Sequence, residues 1–292
     1  MLIQQVANGV FIGAVYALFA IGYTLIFGVL DILNLAHAAI FMAAAFVTLA
    51  LVGAGVPLAA AFLAAVVFAG LLGIALDRVA FAPLRRRNAG TLAPLISSIG
   101  VAIVIQGVVR GVWGPDEHRF PTVPFGDAQF HLGPLSFGGL DILIVGIAGL
   151  MMAGLTYVMG STALGRSIRA VADDRVAAAL LGIDLERTIA LTFFIASALG
   201  GAAGILIGLQ YNSVSVDMGA RIELKGLAII ILGGMGSVPG AVLGALLLGI
   251  VETLTVQFAS SSYRDAAAFA VMFLILVLRP SGLLGKRALR AA

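Results

Sequence analysis

Few side chains in this 292-residue chain could do chemistry, and they are scattered. The three histidines, His37, His118 and His131, lie far apart, and none stands in a metal-ligand spacing. There is no cysteine, so disulfides, thiolate nucleophiles and thiolate metal sites are excluded. Neither HExxH nor GxSxG occurs. No Walker-type GxxxxGK(S/T) occurs either: Gly285-Lys286-Arg287 lacks the upstream glycine and the hydroxyl, so ATP has no P-loop here. The residues therefore point to no enzyme, no metal and no cofactor. What remains is polarity inside apolar sequence. Asn34, His37, Ser97, Ser98 and Gln106 could line a weakly polar path for a small solute, or could equally bond helix to helix. Glu252 is the one acid well inside an apolar run. Such a carboxylate either relays protons or ions, or serves as a structural partner for Thr253, Thr255 or a neighbouring helix.

The elements that must position these groups are membrane helices. Hydrophobic residues make up 61% of the chain and charged ones 11%, and mean hydropathy is +1.14. Soluble domains have roughly 45–50% apolar and about 25% charged residues. The pattern is an all-α, polytopic transmembrane bundle of about 8–9 spans in a single domain, 1–292. Apolar runs fall at 6–30, 38–52, 57–76, 91–109, 141–160, 189–209, 224–232, 241–256 and 265–279. Asp141 and Asp265 are placed to cap two of them. Residues 110–139 are too polar and too broken by Pro and Gly to span, and read as an extracytoplasmic loop. Twelve of the 17 cations (Arg78, Arg85, Arg86, Arg87, Arg166, Arg169, Arg175, Arg187, Arg279, Lys286, Arg287 and Arg290) fall inside if the 77–90 loop, the 161–188 loop and the C-terminus are cytoplasmic. The N-terminus is then outside, and Lys225 lies near the outer interface. The modest cationic excess carries no aromatic-interleaved patch, so nucleic acid is not a partner.

Two stretches break the apolar pattern in informative ways. Residues 161–188 are polar between two greasy flanks. There Asp173 and Asp174 stand as cap and first-turn acid, Arg175 to Leu181 are good helix formers, and Gly182 stands at a C′ stop. Val176, Ala179 and Leu180 share one narrow apolar face, with Leu181 beside it, and Asp184 can cap the next segment. The run Gly233-Gly234-Met235-Gly236-Ser237-Val238-Pro239-Gly240 cannot continue a helix, so a broken helix is expected around 233–240. Glycines at 200, 204, 208 and at 236, 240, 244 recur every fourth residue and would let backbones approach closely.

The full chain resembles the permease subunits, of the LivH type, of branched-chain amino acid ABC importers. The resemblance rests on Asn34-Leu35-Ala36-His37, Gly165-Arg166-Ser167-Ile168-Arg169-Ala170-Val171-Ala172, Leu181-Gly182-Ile183-Asp184, and 232–241, LGGMGSVPGA, in the family's order. It implies a multi-pass protein of the bacterial inner membrane that works by alternating access. It further implies two ABC ATPase subunits, a sister permease in a heterodimer and a periplasmic solute-binding protein. Residues 173–182 would be the coupling helix seated on an ATPase. Relatives of the family also carry urea, short amides and some aromatic acids, so the same machine for another small solute is an alternative. A secondary transporter using Glu252 is another.

Overall fold

In hydrocarbon every backbone polar group must be paired within the protein, which leaves helices as the solution for long apolar runs. A computed structural model describes residues 2–87, 89–90, 92–120, 128–132, 135–279 and 281–285. Lys286, Arg287, Arg290 and Pro280 lie outside the described residues. Seven helical stretches among those described are long and apolar enough to cross a membrane. They are α1 (Leu2–Leu30), Leu58–Arg86, α5 (Leu92–Trp113), α6 (Gly139–Ser161), α9 (Leu185–Tyr211), α11 (Val238–Phe258) and Ser261–Leu278. The second comprises α3 (Leu58–Leu76), a π-helical turn Asp77–Phe81 and α4 (Ala82–Arg86), and the last ends in α12 (Arg264–Leu278). Two further helices, α2 (His37–Gly53) and α10 (Met218–Gly233), have 17 and 16 residues. At 1.5 Å per residue they reach only about 25 Å, short of the ~30 Å hydrocarbon layer. The seven long stretches bear out an all-α polytopic bundle, with the expected 8–9 spans approximate.

Neither hydropathy nor glycine content sorts these helices into inner and outer, since the glycines within α5 and most of those within α6 face open space. α1 and α9 are mostly buried, over 78% and 83% of their apolar stretches, whereas α5 and α6 are at 17%. A Cβ on Gly9 would come within 2.6 Å of Ile250 Cα, and one on Gly13 within 2.8 Å of Leu246 Cα, so α1 lies directly on α11. Gly200 faces the His37 ring and Gly204 faces the Phe41 carbonyl, which seats α9 on α2. The second glycine series is only partly a packing ladder. Gly240 meets Gly233, and Gly244 meets Ile229 and Gly233, but Gly236 has open space and is needed instead for its φ of +81°.

The structure corrects several boundaries. The break is residues 234–237: Ser237 caps α11 by accepting from Gly240 N, so Pro239 and Gly240 belong to its first turn, where a missing N–H costs nothing. After Asp31 (φ +54°) the chain turns back into the bundle, and α2 starts with His37 fully buried beside Phe19, Gly22 and Gly200. Such irregular backbone is tolerated because protein satisfies it: Leu35 N donates to Ser98 Oγ (3.2 Å) and Ala36 N to Asn34 Oδ1 (3.2 Å). Asp141 is the third residue of α6 rather than its cap; its Oδ2 accepts from Gly138 N and its Oδ1 from Gln210. Asp265 is the second residue of α12 and is drawn into an ion pair instead of a cap. The loop expected at 110–139 begins only after Trp113, and it contains an antiparallel hairpin, β1 (Gln129–Leu132) with β2 (Leu135–Gly138), which composition did not suggest.

Candidate functional site

Two polar regions stand at opposite ends of the bundle. At the first, Thr162 caps α7 (Ala163–Asp173) by accepting from Gly165 N. Gly165 lies so close to Val158 and Met159 that no side chain would fit there. Ile168 and Val171 bury the apolar side of α7, leaving Arg166 and Arg169 exposed. Asp173 closes α7, so Asp174 alone is the cap of α8 (Arg175–Leu180): its Oδ1 accepts from Val176 N (2.8 Å) and Ala177 N (3.0 Å). Gly182 (φ +84°) ends the helix, with its N–H on Ala179 O and that of Ile183 on Ala178 O. Asp184 then caps α9, as expected, through Arg187 N.

The apolar side chains of α8 point away from their own protein. Val176, Leu180 and Leu181 are 71%, 84% and 80% exposed, and Ala178 is the buried residue of that helix. One side chain reaches inward. Arg175 Nη2 donates to Val29 O (2.7 Å), a carbonyl of the last turn of α1 that has no helical partner of its own. Residues 77–86, helical where a loop over 77–90 was expected, reach the same end: Arg85 pairs with buried Asp77 (2.5 Å), and Arg85 and Arg86 lie 3.7 and 3.6 Å from Glu186 at the start of α9.

At the opposite end the centre is Glu252, which is 0% exposed. Its Oε2 accepts from Tyr16 Oη (2.9 Å) and lies 3.0 Å from Arg264 Nε, an ion pair without an aimed N–H. Its Oε1 takes Lys225 Nζ at 2.7 Å, and Lys225 also reaches Tyr16 Oη (3.3 Å) and Asp265 (3.0 Å). Two carboxylates and two cations balance, which is how a buried charge is held. Thr253 and Thr255 are not its partners: they donate to backbone carbonyls, those of Gly249 and Val251 among them. Lys225, Tyr16 and Arg264 are the residues that sequence reasoning missed. The available clue was Lys225, a lysine inside the apolar run 224–232.

Tyr16, Lys225 and Arg264 form one wall of a cleft of about 280 Å³ that also has Arg221 and Glu117 on it. The loops around it are joined by an isolated bridge between His118 and Val214 and by Arg110 with Asp217 (3.7 Å). The remaining polar positions gather elsewhere. Asn34, His37 and Ser98 meet around residues 31–37, where His37 Nε2 contacts Phe19 O at 3.3 Å. Ser97 is half-buried with its hydroxyl 3.4 Å from Ala80 O, and Gln106 faces a second cavity with Leu35 and Glu223. The structure therefore separates Glu252 from the five neutral polar residues grouped with it as a path.

Residues 5–277 match the family described as branched-chain amino acid transport system / permease component. The chain is 38% identical to the high-affinity branched-chain amino acid transport system permease protein BraD of Pseudomonas aeruginosa, with 97% of this chain and 96% of that protein covered. It is 36% identical to LivH of Escherichia coli K12 over the same shares. A match to the autoinducer 2 import system permease protein LsrC of Klebsiella pneumoniae is partial, 33% identical over 52% of this chain and 46% of that one. No solved structure matches.

Proposed function

The chain belongs to the permease components of branched-chain amino acid transport systems, and on that premise we propose that it forms part of the inner-membrane channel of an ABC importer for these amino acids. ATP would be hydrolysed on two partner ATPase chains, a periplasmic binding protein would deliver the solute, and a sister permease would complete the path. The observation that carries this reading is α8: a capped six-residue helix whose Val176 and Leu180, with Leu181 just past its end, stand exposed at the arginine-rich end. Exposed apolar side chains grouped on one short helix are the mark of an anchor for a partner's groove.

Movement of that anchor has a route inward. Arg175 holds the last turn of α1 through Val29 O, and just beyond it the chain pivots at Asp31 into the buried segment bearing Asn34 and His37. A displacement of α8 by the ATPases would therefore act on α1, one of the two mostly buried helices, and on the irregular backbone beside it. Val176→Asp/Leu180→Asp tests the reading, because desolvating two unpaired charges against a partner costs several kcal/mol. The double variant is expected at wild-type level in the membrane, with ATPase association lost in affinity purification and leucine uptake reduced by about tenfold or more. Wild-type uptake at normal abundance would remove α8 from the coupling role. Secondary transport on Glu252 is not favoured, since both its oxygens are already engaged by Tyr16, Lys225 and Arg264.

A further inference from the structure

The cleft at the opposite end from α8 carries a second message, in which charges are left over. Lys225 and Arg264 are balanced by Glu252 and Asp265, so that wall is neutral as a unit. Arg221 and Glu117 also line the cleft, are exposed, and have no ion-pair partner among the described residues. Beside this one cation and one anion lies an apolar floor of Phe41, Ile207, Met218 and Ile222. The volume, about 280 Å³, falls just below the roughly 300–1,000 Å³ of drug-sized sites, so a small solute fits and a peptide does not. Opposite charges next to a greasy floor are complementary to a zwitterion with an aliphatic tail. We propose that this cleft is a binding site in the permease itself for the free amino acid, with Arg221 taking the α-carboxylate, Glu117 the α-ammonium, and the floor the side chain. The proposal rests on the permease reading and deepens it by giving the channel entrance its own selectivity for the two charged groups.

The site would be weak, because both charged residues are exposed and each contact is screened by water. That suits a relay, where a solute must leave as readily as it enters. The test uses the full complex with its ATPases in nanodiscs, without binding protein. Binding of tritiated leucine is measured by scintillation proximity, with competition by 4-methylpentanoate, which lacks the ammonium, and by 3-methylbutylamine, which lacks the carboxylate. Leucine is expected to bind saturably, and each analogue to compete about tenfold more weakly, the scale of one charge-assisted hydrogen bond. Arg221→Gln should weaken leucine but leave 3-methylbutylamine unchanged; Glu117→Gln should weaken leucine but leave 4-methylpentanoate unchanged. That crossed pattern cannot arise from misfolding. Absence of saturable leucine binding, or equal competition by all three probes, overturns the proposal. The same preparations report ATP hydrolysis stimulated by loaded binding protein. A complex that keeps this response yet binds no leucine sinks the cleft alone, whereas loss of the response in the wild type would sink the permease reading.

Discussion

A fully buried carboxylate is the most demanding residue in this protein, and its neighbours explain why it is tolerated. Glu252 has Tyr16, Lys225 and Arg264 around it, and Asp265 returns the charge balance. Lys225→Met should leave two carboxylates, Glu252 and Asp265, with Arg264 as their one cation and cost about 3–5 kcal/mol. In detergent the single variant is expected to lose most of its thermal stability. Lys225→Met/Glu252→Met should recover much of it, since Arg264 and Asp265 remain as an equal and opposite pair; equal losses in both would show the two residues to be uncoupled. A second residue-scale prediction concerns Arg175. Arg175→Ala removes the bond to Val29 O without touching the apolar anchor, so ATPase association should persist while leucine moved per ATP falls several-fold in proteoliposomes. Unchanged stoichiometry would sever α8 from α1. Glu252 was legible in the sequence as an isolated intramembrane acid. Its partners were not, because they are brought from 27 and 236 positions away by packing that local pattern does not encode.

At the scale of elements, the long apolar runs needed no structure to be recognised, since length and the absence of charge suffice in hydrocarbon. Legibility was partial at residues 31–37, where the polarity of Asn34 and His37 is plain but the turn of the chain back into the bundle is not. Only tertiary partners such as Ser98 Oγ make it affordable inside the bundle, and they sit 63 residues from Leu35. Glycine spacing was a better guide, yet it did not tell contact from conformation: Gly204 abuts backbone, whereas Gly149 on α6 faces open space. Gly204→Leu should therefore push α9 off α2 and cost at least about 1–3 kcal/mol. Gly149→Leu, with the same change in hydropathy, should leave thermal stability of the solubilised chain nearly unchanged. Matching losses would mean that the close approach of α9 to α2 is not what these glycines provide.

Viewed whole, the molecule has a cationic end and an opposite end. Arg78, Arg85, Arg86, Arg166, Arg169 and Arg175 gather near α8, and the hairpin, the 212–217 loop and the turn before α12 lie at the other. The positive-inside tendency assigns the cationic end to the cytoplasm. In this cysteine-free chain, Ser161→Cys should react with impermeant maleimide only from the cytoplasmic side and Ser262→Cys only from outside. Reversed labelling would invert the protein and remove α8 from reach of any ATPase. An orientation can be proposed from sequence because charge asymmetry is written along the chain. The burial order of the helices was not, because all of them are similarly apolar. That order bears on how the protein is made. α1 leaves the ribosome before the other helices described here and packs most closely on α11, which emerges more than two hundred residues later. Until then its glycine-lined side has only lipid or a membrane chaperone against it. Biogenesis must therefore keep α1 waiting for α11, and a chain cut short after α10 would be inserted, unfinished at its centre, and open to membrane proteases.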